Sequence, residues 1–427
     1  MTGVPTYIDV TNTLQARSIT GIQRVTSEVL RRPRTARTRG FDIIPVTRDA
    51  IGWRRLTVAE HERLRLGPAP VRGVVRRSLG QSPFAGALSS LRGRVPGRPA
   101  RPSRRSVASV PSHLRAPLFE PGSLFFDCEA SWHNLPARSE LLPMLRDTGV
   151  STAMLGFDTL PFERPEWFVP VIGQKFRDHV AAHLHAGSFV VCISEDTRSR
   201  LTRVGEDLDA PPVAAAVMPL GSDWPTPADL VAPPGLPDRF VLCVGTVEPR
   251  KNHGMLLDAW ERLEQRGAHE MQGSVGLVIV GRLGWQSDEL ARRLRFLHRS
   301  DRRIQWLSSV DDAQLAALFR DATALAMPSL DEGLGLPVLE ARRNAVPVLA
   351  SNRGGLPEAL GGGGLLLDPE NVDAWAGAMA SMLEDDVDRQ MVVRASAADP
   401  PPTWDHATDR LWTLMKRSLM RNRATPI

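Results

Sequence analysis

Short apolar runs bounded by turn-forming residues recur along the chain and alternate with stretches of helical spacing. The first run, "TYIDVT" (Thr6 to Thr11), predicts a strand, followed by a polar loop and a helix from about Gly21 to Arg31. "FDIIPV", "SLFFDCE", "STAMLGF", "SFVVCIS" and "AAAVMPL" have the same form and predict further buried strands. Past Asp238 the alternation is cleaner: "FVLCVG", a helix from His253 to Gln265, "GLVIVG", a helix from Asp288 to His298, and "RIQWLSS". A helix capped at Asp311 or Asp312 comes next, then "ATALAMPS", a helix from about Leu336 to Arg343, "PVLAS" and "GGLLLDP". Strands separated by helices predict parallel sheets covered on both faces, so the fold class is α/β with doubly wound parallel sheets.

At 427 residues the chain exceeds what one hydrophobic core usually supports, and two domains are expected. The segment Gly221 to Asp238, with five prolines and two glycines, separates two runs of strands and marks the boundary. The expected division is 1–225, 236–400 and a final helix over 403–420 that packs back on the first domain. Neither a basic-flanked apolar leader nor a run of spanning length is present, which predicts a cytoplasmic protein, soluble or peripheral at the inner face of the plasma membrane. Cys128, Cys192 and Cys243 lie in or beside strand-like runs at no metal-ligand spacing, and buried reduced thiols are expected.

Charge changes the picture in one place. No acidic residue lies between Glu62 and Glu120, whereas that interval holds twelve arginines, from Arg63 to Arg115. Its composition argues against regular structure over Arg92 to Arg105, and the 62–120 interval is expected to be a basic, partly disordered insertion. Such a segment suits an anionic membrane surface or a solvated loop. Nucleic acid is a poorer partner, because the chain has one tyrosine and the interval lacks interleaved aromatics for base stacking.

Ligands of open parallel sheets bind beyond the carboxyl ends of the strands, so those loops are where chemistry is sought. "VGTVEPRKN" puts Arg250 and Lys251 in one such loop beside Gly245, whose missing side chain permits close approach. Adjacent cations at a helix start are opposed by the helix dipole unless an anion intervenes, and a diphosphate is such an anion. "SLDEGLGLPVLEA" puts Glu332 in a second loop and Glu340 one turn inside the next helix. Two acceptor-only carboxylates at two depths suit a hexose and a ribose. The spacing equally allows a capping role for Glu332 and an internal salt bridge from Glu340 to Arg342 or Arg343.

The combination of "GTVEPRKN", "WLSSVDDAQLAALFRDATALAMPSLDEGLGLPVLEA" and "PVLASNRGGLPEALGGGGLLLDP" closely resembles the family 4 (group 1) glycosyltransferases, nucleotide-sugar-dependent enzymes of the two-domain GT-B fold. "IDVTNTLQARSITGIQRVTSEVL" and "FDTLPFERPEWF" are similar to the first domain of a bacterial branch linked to surface polysaccharide assembly. The resemblance implies two Rossmann-like domains facing a central cleft, and retaining transfer of a hexose, mannose favoured, from a nucleotide diphosphate to a glycan or polyprenyl-linked acceptor. It implies that Arg250 and Lys251 bind the diphosphate and stabilise the leaving group, that Glu332 contacts the transferred sugar, and that Glu340 hydrogen-bonds the ribose. Backbone at Gly333, Leu334 and Gly335 would help hold sugar and phosphate. Backbone at Ser309 and Val310 would line the base, and the loop at Gly21 would close over the phosphates. No cofactor and no metal is expected, since the two cations supply the charge.

One position departs from the family. Where many members carry a histidine near the sugar, this chain has Phe157 followed by Asp158, and Asp158 is expected to take part of that role. His113 and His133 are nearby in sequence, but lone histidines more often pack or face solvent. A dehydrogenase is a poor alternative, because no G-x-G-x-x-G opens either domain. A non-catalytic nucleotide-sugar or glycan-binding relative shares the donor site and stays open as a second class.

Overall fold

In the computed structural model, the described residues are 3–16, 20–49, 52–66, 118–223, 230–267, 274–301, 303–384 and 386–424. The greater part of the arginine-rich interval, with the membrane contact expected of it and His113, lies outside them.

Two sheets form. The first takes strands β1 (Val4–Asp9), β2 (Phe41–Arg48), β3 (Trp53–Arg55), β4 (Leu124–Asp127), β5 (Ser151–Gly156), β6 (Phe189–Cys192) and β7 (Ala215–Val217) in the order β3-β2-β1-β4-β5-β6-β7. Every pairing is parallel except that of β3 with β2. The second takes β8 (Arg239–Val244), β9 (Val275–Val280), β10 (Ile304–Leu307), β11 (Ala324–Met327), β12 (Val348–Ser351) and β13 (Gly364–Leu367) in the order β10-β9-β8-β11-β12-β13, all parallel. β9, β11 and β12 are buried along their whole length, as strands covered on both faces must be. The expected α/β class with two doubly wound sheets is what the chain adopts.

Three local expectations are corrected. The first strand ends at Asp9, because the Asp9 carboxylate accepts the Thr11 amide at 3.0 Å and its hydroxyl at 2.6 Å, turning the chain. The loop expected after it holds a short helix, α1 (Thr11–Gln15), before α2 (Gly21–Arg31), which a Thr20–Gln23 capping box starts. The antiparallel edge strand β3 was not expected at all.

The last helix, Trp404–Ala424, packs on the first sheet. Trp412 is fully buried, with its ring 5.2 Å from Phe41 and 6.0 Å from Phe126, and Arg39 holds Asp409 at 2.6 Å. Where the chain passes between domains, a Cβ on Gly221 would stand 2.4 Å from Trp404 backbone, so only glycine fits the crossing. Cys128, Cys192 and Cys243 are buried and unpaired, and burial pushes the thiols of Cys192 and Cys243 up to about 12. Among the described residues no helix is long and apolar enough to cross a membrane.

Candidate functional site

The order of the second sheet reverses between β8 and β11, which are hydrogen-bonded neighbours, and the loops leaving these two strands hold the predicted residues. Such a switch point opens a crevice at the carboxyl edge of the sheet. After β8 the chain makes a 3-10 turn, Pro249–Lys251, and enters the helix His253–Gln265 through Asn252, whose φ is +57°. The Asn252 amide group donates to the carbonyls of Pro328 at 3.2 Å and Pro369 at 2.8 Å, and the Leu330 amide donates to the Arg250 carbonyl at 2.8 Å. These bonds lock the two loops together.

Locked in this way, Arg250 and Lys251 converge on Glu332. Arg250 Nη1 donates to Glu332 Oε2 at 2.8 Å, Lys251 Nζ donates to Oε1, and the Ser329 hydroxyl donates to the same Oε1 at 2.8 Å. Burial alone would raise the Glu332 carboxyl, but Arg250 and Lys251 outweigh it and hold the group down at about 2. Arg250 Nε also lies 2.9 Å from Glu248, so both flanks of the guanidinium meet carboxylates. Glu332 is therefore no helix cap; it is the counter-ion of both cations. Gly245 sits against Lys251, where a Cβ would lie 3.5 Å from Cε.

Gly335, at φ +101°, turns the chain into the helix Leu336–Arg343, with Pro337 in its first turn. Glu340 is buried in that helix, but its partner is neither Arg342 nor Arg343. Arg342 reaches the Ala359 carbonyl and Arg343 the Ser222 hydroxyl, whereas Glu340 pairs at 2.7 Å with Arg24 of the first domain. Burial raises the Glu340 carboxyl and Arg24 opposes the rise. Ser309 and Val310 follow β10, the former exposed and the latter packed on the core, before the Asp311 cap.

The first domain closes on this loop. The Ser194 hydroxyl donates to the Gly333 carbonyl at 2.6 Å, and Arg200 holds Asp331 at 2.8 Å. A Cβ on Gly333 would stand 2.0 Å from the Phe157 carbonyl oxygen and 3.1 Å from Asp158 Cβ. Asp158 thus faces the cluster. Burial raises its carboxyl, Arg250 pulls it down, and the Leu160 amide donates to it at 3.1 Å. Gly21 faces Leu336, with 3.8 Å from a built Cβ to Leu336 Cδ1. His133 stands at the surface beside Trp132.

Sequence reasoning missed a second polar group at the carboxyl edge of the first sheet. Arg138 bridges Asp9 at 2.7 Å and Asp127 at 2.5 Å, and His183 Nε2 lies 3.2 Å from Asp127. Ligand atoms of Asp127, His179 and His183 fall within 4.8 Å of one another, but Arg138 already supplies the positive charge that Asp127 requires. Glu129, two residues beyond Asp127 at the end of β4, accepts the Asn12 and Thr13 amides at 2.8 Å each and fixes α1. The apolar run "LFFDCE" signals the strand that carries Asp127; nothing in it signals Arg138 or the histidines.

The sequence model "Glycosyl transferases group 1" matches residues 232–399, the second domain. The chain is 28% identical over 253 residues to "Serotype-specific mannosyltransferase WbdA" of Escherichia coli, covering 54% of this chain and 30% of that protein. It is 36% identical over 172 residues to "O-antigen chain mannosyltransferase B" of Escherichia coli, covering 40% and 43%. The match thus spans less than half the length of either relative. Among solved structures, Anabaena Alr3699/HepE in complex with UDP-glucose superposes over 99% of both chains with a TM-score of 0.59 at 15% identity, a likeness of fold. Residues 232–399 are thus similar to the group 1 glycosyl transferases, and the two α/β sheets are those of the GT-B fold.

Proposed function

We propose that the protein is a retaining hexosyltransferase, transferring a mannose-like sugar from a nucleotide diphosphate to a glycan or polyprenyl-linked acceptor in cell-surface polysaccharide or glycolipid synthesis. The observation that carries this is the convergence of Arg250 and Lys251 on Glu332 at the switch point, closed over by Asp158 and Gly333. The mannosyltransferase relatives support the choice of sugar, and GDP-mannose is the favoured donor.

In this reading the donor diphosphate takes the two cations from Glu332, and the freed carboxylate accepts hydroxyls of the sugar. The bond from the anomeric carbon to the diphosphate oxygen breaks while that carbon bonds to the acceptor hydroxyl on the same face. The proton of that hydroxyl passes to the leaving phosphate. Arg250 and Lys251 stabilise the charge as it develops, which is where fixed cations act most strongly. No metal is asked for, because these side chains carry the needed charge. Glu340 accepts from the ribose, backbone at Ser309 and Val310 flanks the base, and Asp158 orients the acceptor.

The reading is tested by a thermal-shift panel of GDP, UDP, ADP and dTDP and their common sugars, followed by product analysis with the donor that binds. Ligand at a hundred times its Kd adds about 2.7 kcal/mol of stability. A shift with one base, lost in Arg250→Ala, together with release of the nucleoside diphosphate on transfer, is the expected result. Binding with no transfer to any acceptor favours the non-catalytic relative, and no shift with any nucleotide overturns the donor site.

A further inference from the structure

Arg24 and Glu340 meet across the cleft, Nη1 at 2.7 Å from Oε1, with the Glu340 side chain 4% exposed. Each is fixed within its own domain. α2, which carries Arg24, is pinned to the first sheet by the Thr26 hydroxyl, which donates to the Cys128 carbonyl at 2.5 Å. Glu340 sits on a helix whose Val338, Leu339 and Ala341 are buried in the second domain. A Cβ on Gly21 would lie 3.8 Å from Leu336 Cδ1, so the pair forms where the starts of the two helices face each other. A guanidinium so near the start of α2 is disfavoured by the helix dipole, and Glu340 is the anion that offsets it.

An ionised carboxylate has room for several donors, so a guanidinium on one oxygen leaves lone pairs for neighbouring hydroxyls. We propose that Arg24 is a positioning residue for the nucleotide, its ion pair fixing Glu340 as the acceptor of the ribose hydroxyls so that ribose is recognised only when the domains are closed. This rests on the donor site proposed above. An ion pair that merely held the domains together would act on every ligand alike. Arg24 acting through Glu340 changes the affinity only of ligands that have ribose hydroxyls.

The test is calorimetric titration with GDP and UDP and with their 2′,3′-dideoxy counterparts. The unaltered protein is expected to prefer the ribose form by about tenfold or more, the worth of a charge-assisted hydrogen bond. Arg24→Ala and Arg24→Gln, two variants in case one folds poorly, should bind the ribose form about tenfold more weakly and the dideoxy form within about twofold of the unaltered protein, with Arg24→Lys recovering part of the loss. Equal weakening of both forms, or an intact ribose preference, overturns the proposal. Loss of nucleotide binding in Lys251→Ala with ribose preference intact in Glu340→Gln overturns it while sparing the donor site. Absence of binding by the unaltered protein overturns both.

Discussion

Arg250 donates to Glu332 at 2.8 Å from a residue whose amide carbonyl is itself bonded to the Glu332 loop, so the cation and its counter-ion belong to one rigid unit. Lys251 shares the same carboxylate, and any diphosphate entering the site competes with Glu332 for both cations. Glu332→Gln is expected to separate binding from turnover. With the competitor neutralised, affinity for the nucleoside diphosphate alone rises several-fold, while turnover falls by roughly 10² through loss of the sugar contact. The ligand-free protein should lose about 3 kcal/mol, because two cations are left short of a partner. Titration calorimetry, steady-state kinetics and denaturant unfolding measure the three quantities. Weaker diphosphate binding in the variant would contradict the competition.

Gly333 lies against the first domain, and no side chain fits there: the first atom would stand 2.0 Å from the Phe157 carbonyl oxygen. Gly333→Ala must hold the domains apart or shift both loops. The expected outcome is a folded protein with its thermal transition little changed, a larger radius of gyration by X-ray scattering, and turnover reduced about 10²-fold, the cost of an ångström-scale misplacement. Unchanged turnover would show that closure at this point is not needed.

The second domain was legible because its strands are short apolar runs and its helices keep regular spacing between glycine and proline boundaries. Arg250, Lys251 and Glu332 could be grouped from sequence, since each falls in a loop leaving a strand and such loops share one edge. What could not be read was who pairs with whom. Glu340 has arginines two and three positions away, yet the helix turns them to Ala359 and Ser222, and the partner is Arg24 in the other domain. Local spacing carries no information on a contact made only when two domains meet. The same holds for Arg138, which collects Asp9 and Asp127 from two different strands.

Trp412 ties the last helix to the first sheet, buried against Phe41 and Phe126. Trp412→Ala leaves a large cavity between elements far apart in sequence and is expected to cost about 3–5 kcal/mol in denaturant unfolding. Because Trp404 fills the crossing beside Gly221, removal of residues 403–427 should expose the first-domain face as well and give an aggregating or dye-binding product. A truncated chain that unfolds cooperatively with unaltered midpoint would show that the helix is an appendage.

His253, next to Asn252 of the cation loop, is buried, and neither ring nitrogen has a hydrogen-bond partner among the described residues. Burial first, then Lys251, pushes its pKa down to about 3; burial, then His183, lowers His179 to the same level. In the unfolded chain both titrate at about 6.5. Between about 6.5 and 3 each of these rings therefore binds a proton in the unfolded chain that it refuses in the folded one, so the stability each contributes is complete above pH 6.5 and is lost as pH falls through that window. Each group contributes a slope of up to about 1.4 kcal/mol per pH unit. The Glu332 carboxylate, ordinarily near 4.5 and held at about 2, adds its own loss only from about pH 4.5 downward, whereas Glu129, pushed up to about 8 by burial and then Asp9, binds a proton in the folded chain and opposes the histidines between pH 6.5 and 5. His253→Leu removes one proton site and two unpaired polar atoms. At pH 7.5 its stability should lie within about 1 kcal/mol of the unaltered protein, since no hydrogen bond is lost. From pH 6.5 to 5 its unfolding free energy should fall less steeply, by about one proton's slope. Parallel stability curves over that interval would show that His253 takes up a proton in the folded state and would contradict its burial as a neutral ring.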